Sequence, residues 1–136
     1  MRALVDHIDL VVSSLDRSLP FYRELLSAWG EVYDHTIAGE RGEEVHYIGI
    51  LRDGGVAIGL REHQAGGDFD RYRLGVHHVC FAAASRDHVD ERAGWLREQG
   101  AKIESGPEDY DYVEGYYAVF FYDPDGLKLE IAYIPD

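Results

Sequence analysis

The residues best suited to chemistry are two histidines and a glutamate. Near the C-terminus, Asp123-Pro124-Asp125-Gly126 places Asp, Pro and Gly at the first, second and fourth positions that a type I turn favours. Leu127, Leu129 and Ile131 then alternate with Lys128, Glu130 and Ala132, the pattern of a half-buried strand. Glu130 falls in mid-strand on the face opposite the apolar row, where a carboxylate is costly unless it is paired or holds a metal. His7 stands opposite Ile8, Leu10 and Val12 in one alternating run, and His78 opposite Val79, Phe81 and Ala83 in another. Two imidazoles and a carboxylate suit Fe(II), Mn(II), Ni(II), Co(II) or Zn(II) and leave coordination positions open for a substrate. A plainer reading is also open, in which both are ordinary strand histidines and Glu130 pairs with Lys128 or Arg61.

The elements that must position these residues follow from periodicity and punctuation. Residues 6–12 read as a strand, and Ser14 as the cap of a helix over about 15–29, with Leu15, Leu19, Tyr22, Leu26 and Trp29 at helical spacing. Pro20 implies a kink, or a helix proper that begins near Ser18; Gly30 ends it. Strand-like runs near 31–37, 44–51 and 56–62 are separated by glycine-rich turns, Gly39 to Gly42 and Asp53-Gly54-Gly55. A polar linker, 63–74, precedes a strand at 76–83. Ser85 caps a second helix at about 86–99, with Val89, Ala93 and Leu96 inward and Gly100 as its stop, and strands near 102–105, 115–122 and 127–134 complete the chain. The acidic, aromatic segment from Glu104 to Tyr112 is expected to be a loop, either a mobile lid or merely solvated.

The chain repeats. A shift of 71 residues lays His7 on His78, cap Ser14 on Ser85, turn Gly55 on Gly126, and Gly59 on Glu130. Identities are few, but the constant offset across strand, cap and turn marks a duplicated β-α-β-β-β unit and an α+β fold. Strand parity puts Asp9, Val11, Ala57, Arg61, Cys80, Ala82, Lys128 and Ala132 on the same face as the candidate ligands. Arg61 or Lys128 is placed to hold an anionic substrate group, or Arg61 to pair with Asp9. Cys80 reads as a small interior residue, His77 as pointing away from the site, and His35, His46, His63 and His88 as surface.

Length and composition bound the function. At 136 residues the chain is one domain, large enough for a core without staples. Thirteen Lys and Arg against 26 Asp and Glu give a net charge of −13, which repels phosphate backbones and argues against a nucleic-acid partner. No apolar run has the length of a membrane span and the start carries no signal-peptide core, so no membrane partner is expected. A single cysteine, Cys80, excludes an internal disulfide framework and fits a cytoplasmic location.

Taken in order, Asp6-His7-Ile8-Asp9-Leu10, Ser18-Leu19-Pro20-Phe21-Tyr22, Val76-His77-His78-Val79-Cys80-Phe81 and Asp123-Pro124-Asp125-Gly126…Glu130 resemble the vicinal oxygen chelate superfamily. That superfamily includes glyoxalase I, extradiol dioxygenases, fosfomycin-resistance thiol transferases and bleomycin-resistance proteins. The resemblance implies a single domain with one module at about 4–62, the linker, and a second module at about 75–134. The modules are expected to curl into an open barrel around a divalent metal held by His7, His78 and Glu130. It further implies a small-molecule substrate bound through two adjacent oxygens and a homodimer. Glu130 and Tyr116 are the expected catalytic residues, and Tyr47, Arg61 and Phe120 the expected substrate contacts. The reaction is expected to be of the glyoxalase-like lyase or isomerase kind, or of the extradiol-dioxygenase kind. The competing reading is a metal-free protein that sequesters a drug, as bleomycin-resistance members do.

The family's fourth ligand position falls on Gly59, which argues against glutathione-dependent glyoxalase chemistry. A carboxylate placed there, as in Gly59→Glu, is expected to reach the metal. Asp9, Ala118 and Phe120 stand where the fosfomycin enzymes carry threonine, serine and tyrosine, which argues against fosfomycin.

Overall fold

In the computed structural model, residues 5–51 and 55–136 are described, so most of the Asp53-Gly54-Gly55 turn and the first four residues lie outside the description. The chain divides into two compact units, Met1–Gly67 and Asp68–Asp136. Each is a β-α-β-β-β unit with one four-stranded mixed sheet.

The first unit contains β1 (His7–Val12), α1 (Leu15–Leu26, extended by a 3₁₀ turn at Ser27–Trp29), β2 (Val32–Ala38), β3 (Glu44–Ile50) and β4 (Ala57–Glu62). The strands lie in the order β1-β4-β3-β2, with β1 and β4 parallel and the other pairs antiparallel. Ser14, in an extended conformation, accepts the Arg17 amide, and Glu62 Oε1 accepts the Leu15 amide at 3.0 Å. Two donors of the first helical turn are thereby satisfied, which lets the helix begin at Leu15 with Pro20 inside it rather than near Ser18. Tyr22, Leu25 and Leu26 are buried, and α1 packs on β3 and β4, where Ile48, Ile58 and Leu60 are buried too.

The second unit repeats the plan with β5 (Val79–Ala82), α2 (Arg86–Glu98), β6 (Ile103–Asp109), β7 (Tyr117–Tyr122) and β8 (Lys128–Tyr133), in the order β5-β8-β7-β6. Only β5 and β8 run parallel. Ser85 accepts the His88 amide, and Val89, Ala93 and Leu96 of α2 are buried with Val119, Phe121, Leu129 and Ile131 of the sheet. The loop expected from Glu104 to Tyr112, as a lid or merely solvated, is corrected here: residues 104–109 belong to β6. Its pairing with β7 shifts register between Ile103 and Ser105 and again before Glu108, which absorbs Gly106 and Pro107. An edge strand tolerates a proline because one row of its amides has no ladder partner to lose.

Candidate functional site

Within the second unit, the chemistry gathers on Glu130. The turn before it forms as its residues predict: Asp123 Oδ1 accepts the amides of Asp125 and Leu127 at 2.8 and 2.9 Å, and Gly126 takes the positive φ of 86°. That turn sets the register of β8, in which Glu130 is flanked by Cys80 on β5 and Phe120 on β7. Glu130 is only 3% exposed. Its Oε2 lies 3.2 Å from His78 Nε2, and its Oε1 accepts the Tyr116 hydroxyl. Burial, then the bond to Glu130, pushes the Tyr116 hydroxyl above the usual tyrosine range, so it stays a donor. Cys80 is reached by solvent, yet the atoms packed round its sulfur and the Glu130 charge push the thiol up to about 12, which leaves it un-ionised and a poor nucleophile.

The surroundings are aromatic. Phe120 makes edge-type contacts with Tyr110 and with His78, with ring centroids 5.3 and 6.2 Å away, and Tyr110 stacks on Tyr112 at 5.4 Å. Lys128 does not pair with Glu130. Its ammonium sits over Phe120 and bonds Glu104 at 2.7 Å. Arg71 also reaches Glu104, at 3.1 Å, and the Tyr122 hydroxyl donates to it at 2.6 Å. The Lys128 bond, then that of Tyr122, holds the Glu104 carboxyl at about 2. Nothing in the sequence joins Arg71, in the linker, to Glu104, so this cluster was not foreseen. His77, expected to point away, shares a 2.8 Å contact between Nδ1 atoms with His78.

Within the first unit, His7, Asp9, Arg61 and Tyr47 share one face. His7 Nδ1 meets Asp6 Oδ1 at 2.9 Å, a bond that raises the imidazole pKa and, because a carboxylate only accepts, assigns the proton to Nδ1 in the neutral ring. Nε2 then carries the lone pair. The Tyr47 ring stands edge-on to His7 with centroids 5.4 Å apart, and its hydroxyl donates to Asp9 Oδ2 at 2.9 Å. Arg61 bonds the same oxygen and also Glu43 Oε1 at 2.9 Å. Arg61 is therefore occupied by two acids, one of them the expected Asp9. His46, expected on the surface, is half-buried among Glu44, Thr36 and Asp34, and His88 is half-buried on α2.

Gly59 changes the picture drawn from the sequence. A Cβ built there would lie 2.5 Å from Asp9 Oδ1 and 2.7 Å from Tyr47 Cε1. The place of a fourth ligand on β4 is thus taken up by Asp9 and Tyr47, and a glutamate at 59 cannot extend without moving them. Glu62 is engaged at the start of α1 and does not replace it.

A family model, Glyoxalase/Bleomycin resistance protein/Dioxygenase superfamily, matches residues 4–131. The chain belongs to this superfamily. It is 27% identical to the protein YqjT of Bacillus subtilis (strain 168) over 93% of this chain and 95% of that one. It is 29% identical to the metallothiol transferase FosB of Staphylococcus epidermidis over 93% of this chain and 81% of that one. Among solved structures, a glyoxylase/bleomycin resistance protein/dioxygenase domain from Frankia sp. EAN1pec superposes with a TM-score of 0.80 at 26% identity, covering 100% of this chain and 95% of that one.

In the second unit His78 and Glu130 offer one pair of donors of a chemistry and spacing that a divalent ion could span. Two donors at about 2.0–2.1 Å from one ion stand roughly 2.9–3.4 Å apart. The gap between His78 Nε2 and Glu130 Oε2 is 3.2 Å. His7 donates its Nδ1–H to Asp6 and His78 Nδ1 is hydrogen-bonded with His77 Nδ1, the kind of outer support that ligating histidines use. Among the described residues no three His, Cys, Asp or Glu side chains gather into a metal-sized cluster.

Proposed function

We propose that the protein is a divalent-metal-dependent enzyme acting on a small molecule through two adjacent oxygens, with His7, His78 and Glu130 as the metal ligands. The observation that carries the reading is Glu130 itself. A carboxylate 3% exposed in mid-sheet is surrounded by one imidazole, one hydroxyl and the un-ionised Cys80 thiol, while the nearby ammonium of Lys128 is bound to Glu104. A buried charge so placed calls for a cation. A bound ion from the Fe(II), Mn(II), Ni(II), Co(II) or Zn(II) group supplies Lewis acidity toward charge developing on the substrate oxygens.

The chain's own residues do the rest. Tyr116 holds Glu130 by its hydroxyl and, keeping its proton, has a donor role beside the substrate. Phe120, backed by Tyr110, gives an apolar wall that excludes water and suits the body of a small organic substrate. Tyr47 and Arg61 are the proposed contacts on the first unit, positioned by their shared hold on Asp9. Glyoxalase-like lyase or isomerase chemistry and extradiol ring opening both meet this description. No helix among the described residues is long and apolar enough to cross a membrane, and a cytoplasmic homodimer is proposed on the single cysteine and the family habit.

Metal analysis of protein purified without a histidine tag tests the reading. The expected result is one divalent ion per chain, lost in His78→Ala and Glu130→Ala. Full occupancy in both variants would overturn the ligand assignment, and a metal-free native protein that binds a drug would favour sequestration.

A further inference from the structure

The sheet of the first unit ends on a bare edge. β2 is the outermost strand in the order β1-β4-β3-β2, and six of its seven residues are exposed. Its register against β3 is unbroken from Val32 to Ala38. At the two ends of that ladder the Glu31 carbonyl accepts the Leu51 amide at 2.8 Å, and the Glu43 carbonyl accepts the Gly39 amide at 2.7 Å. Hydrogen-bonded pairs alternate along an antiparallel ladder, so Tyr33, His35 and Ile37 bond β3 while Val32, Asp34, Thr36 and Ala38 turn their N–H and C=O groups outward. Among the described residues no strand, turn or loop bonds those outward groups. The second unit blunts its corresponding edge, because Gly106, Pro107 and two register shifts interrupt β6. β2 has no proline, glycine or lysine to do the same. Its one acid, Asp34, is paired with Arg23 of α1 and lies 3.6 Å from His46 Nδ1.

We infer that a second copy of this chain docks on that edge, β2 against β2, antiparallel about a two-fold axis through His35. The inference rests on the homodimer proposed above and involves no metal. Few registers join outward residues of a strand to outward residues of its own copy. The one centred on His35 sets Asp34 opposite Thr36 and Val32 opposite Ala38, so every outward group gains a partner in both copies at once. A register centred on Asp34 would set two carboxylates face to face, and one centred on Thr36 would leave Val32 unpaired. In a chain of net charge −13 this matters, because the His35 register brings the copies together with no acid opposite an acid. Between the hydrogen-bonded pairs Tyr33 meets Ile37. Both are exposed in the single chain, at 38% and 40%, and a ring against a β-branched side chain is a favourable cross-strand pair. The Tyr33 ring lies over Gly49, where a Cβ would stand 2.4 Å from it, so its place on this face of the sheet is set by β3.

The test reads assembly by light scattering at micromolar concentration, with circular dichroism to check that each variant is folded. Thr36→Pro removes an outward N–H without costing a bond between β2 and β3, and is expected to weaken dimerisation roughly tenfold or more. Cross-linking is independent of that variant. In the inferred register His35 meets His35 as a non-hydrogen-bonded pair with Cα atoms about 4.5 Å apart, inside disulfide reach. His35→Cys is therefore expected to form a disulfide-linked dimer on mild oxidation. In Ile37→Cys the two thiols would sit on Cα atoms roughly 13 Å apart, so that variant should stay unlinked, as should the wild type with its single thiol at Cys80. A folded and fully dimeric Thr36→Pro, or a dimeric His35→Cys that does not cross-link, would overturn the inference and leave the homodimer standing on another surface. Linking as efficient in Ile37→Cys as in His35→Cys would overturn it too. A monomeric wild type would overturn the inference and the homodimer together, and leave the edge to a strand of another protein.

Discussion

Gly59→Ala tests the first-unit geometry beneath the proposed function without any metal. The backbone at residue 59 is not in the left-handed region, so alanine meets no backbone strain. The Cβ does meet three atoms: Asp9 Oδ1 at 2.5 Å, Tyr47 Cε1 at 2.7 Å and Asp9 Cγ at 2.9 Å. Neither side chain is free to swing away, because Tyr47 and Arg61 both bond Asp9 Oδ2, and Arg61 is tied in turn to Glu43. Inserting a methyl into such a site costs about 1–3 kcal/mol. The reduced freedom of the unfolded chain returns about 0.4–1 kcal/mol. The net expectation is a loss of about 1–2 kcal/mol, read as a fall of roughly 0.5–1 M in the urea midpoint at an m-value of about 2 kcal/mol/M.

The sharper measurement is the double-mutant cycle with Asp9→Ala. Removing the Asp9 carboxylate deletes two of the three close contacts and leaves only the Tyr47 ring edge. The cost of Gly59→Ala should then shrink, giving a coupling of about 1 kcal/mol, within the range found for residues in contact. A Gly59→Ala protein as stable as wild type, or a cycle additive to within about 0.3 kcal/mol, would show that Asp9 and Tyr47 yield freely and do not occupy that place.

Three further outcomes are expected. Glu104 has its folded pKa depressed to about 2 from 4.5 by Lys128 and Tyr122, so its contribution to stability is complete above about 4.5 and is lost as pH falls toward about 2. After allowance for solvent screening this is about 1 kcal/mol, and urea unfolding at pH 7 and pH 3 should show Glu104→Gln lacking that part of the acid sensitivity; equal sensitivity in both proteins would refute the assignment. Tyr116→Phe should cost about 1.5–3 kcal/mol, because the buried Glu130 loses a charge-assisted bond, and should weaken Mn(II) binding roughly tenfold; a variant matching wild type in both would remove Tyr116 from the site. Light scattering at micromolar concentration should give the mass of a homodimer, and a monomer would refute the proposed assembly without touching the metal reading.

Much of this was legible in the sequence because it depends on short-range rules. Alternation placed His7 and Asp9 on one face of β1 and Glu130 on the face with Lys128, and Asp123 to Gly126 named the turn that sets the register of β8. Ser14 and Ser85 marked both helix starts. What failed depends on register and long-range pairing. The segment containing Gly106 and Pro107 reads as loop locally, and only the irregular pairing with β7 makes it a strand. Lys128 reads as the neighbour of Glu130, yet Glu104, 24 residues before it on β6, takes the ammonium. His46 reads as exposed because its buried position depends on Asp34 and Thr36 of β2 lying alongside.

The difference between the units follows from what a duplicated backbone does and does not constrain. Duplication fixes pairing: β1 runs parallel to β4 as β5 does to β8, with equivalent residues opposed. Neighbours across a ladder are only about 4.8 Å apart and share a face, so an acid can pass from one strand to the other and still serve the same surface. Residue-by-residue superposition of the repeats therefore records a loss at Gly59, although Asp9 keeps an acid at the same level of the sheet. The charges around the two acids diverge as well. Arg61 stands between Asp9 and Glu43, whereas Glu104 stands between Lys128 and Arg71. Two acids around one cation give the first unit a locally negative cluster. Two cations around one acid give the second unit a locally positive margin beside Glu130.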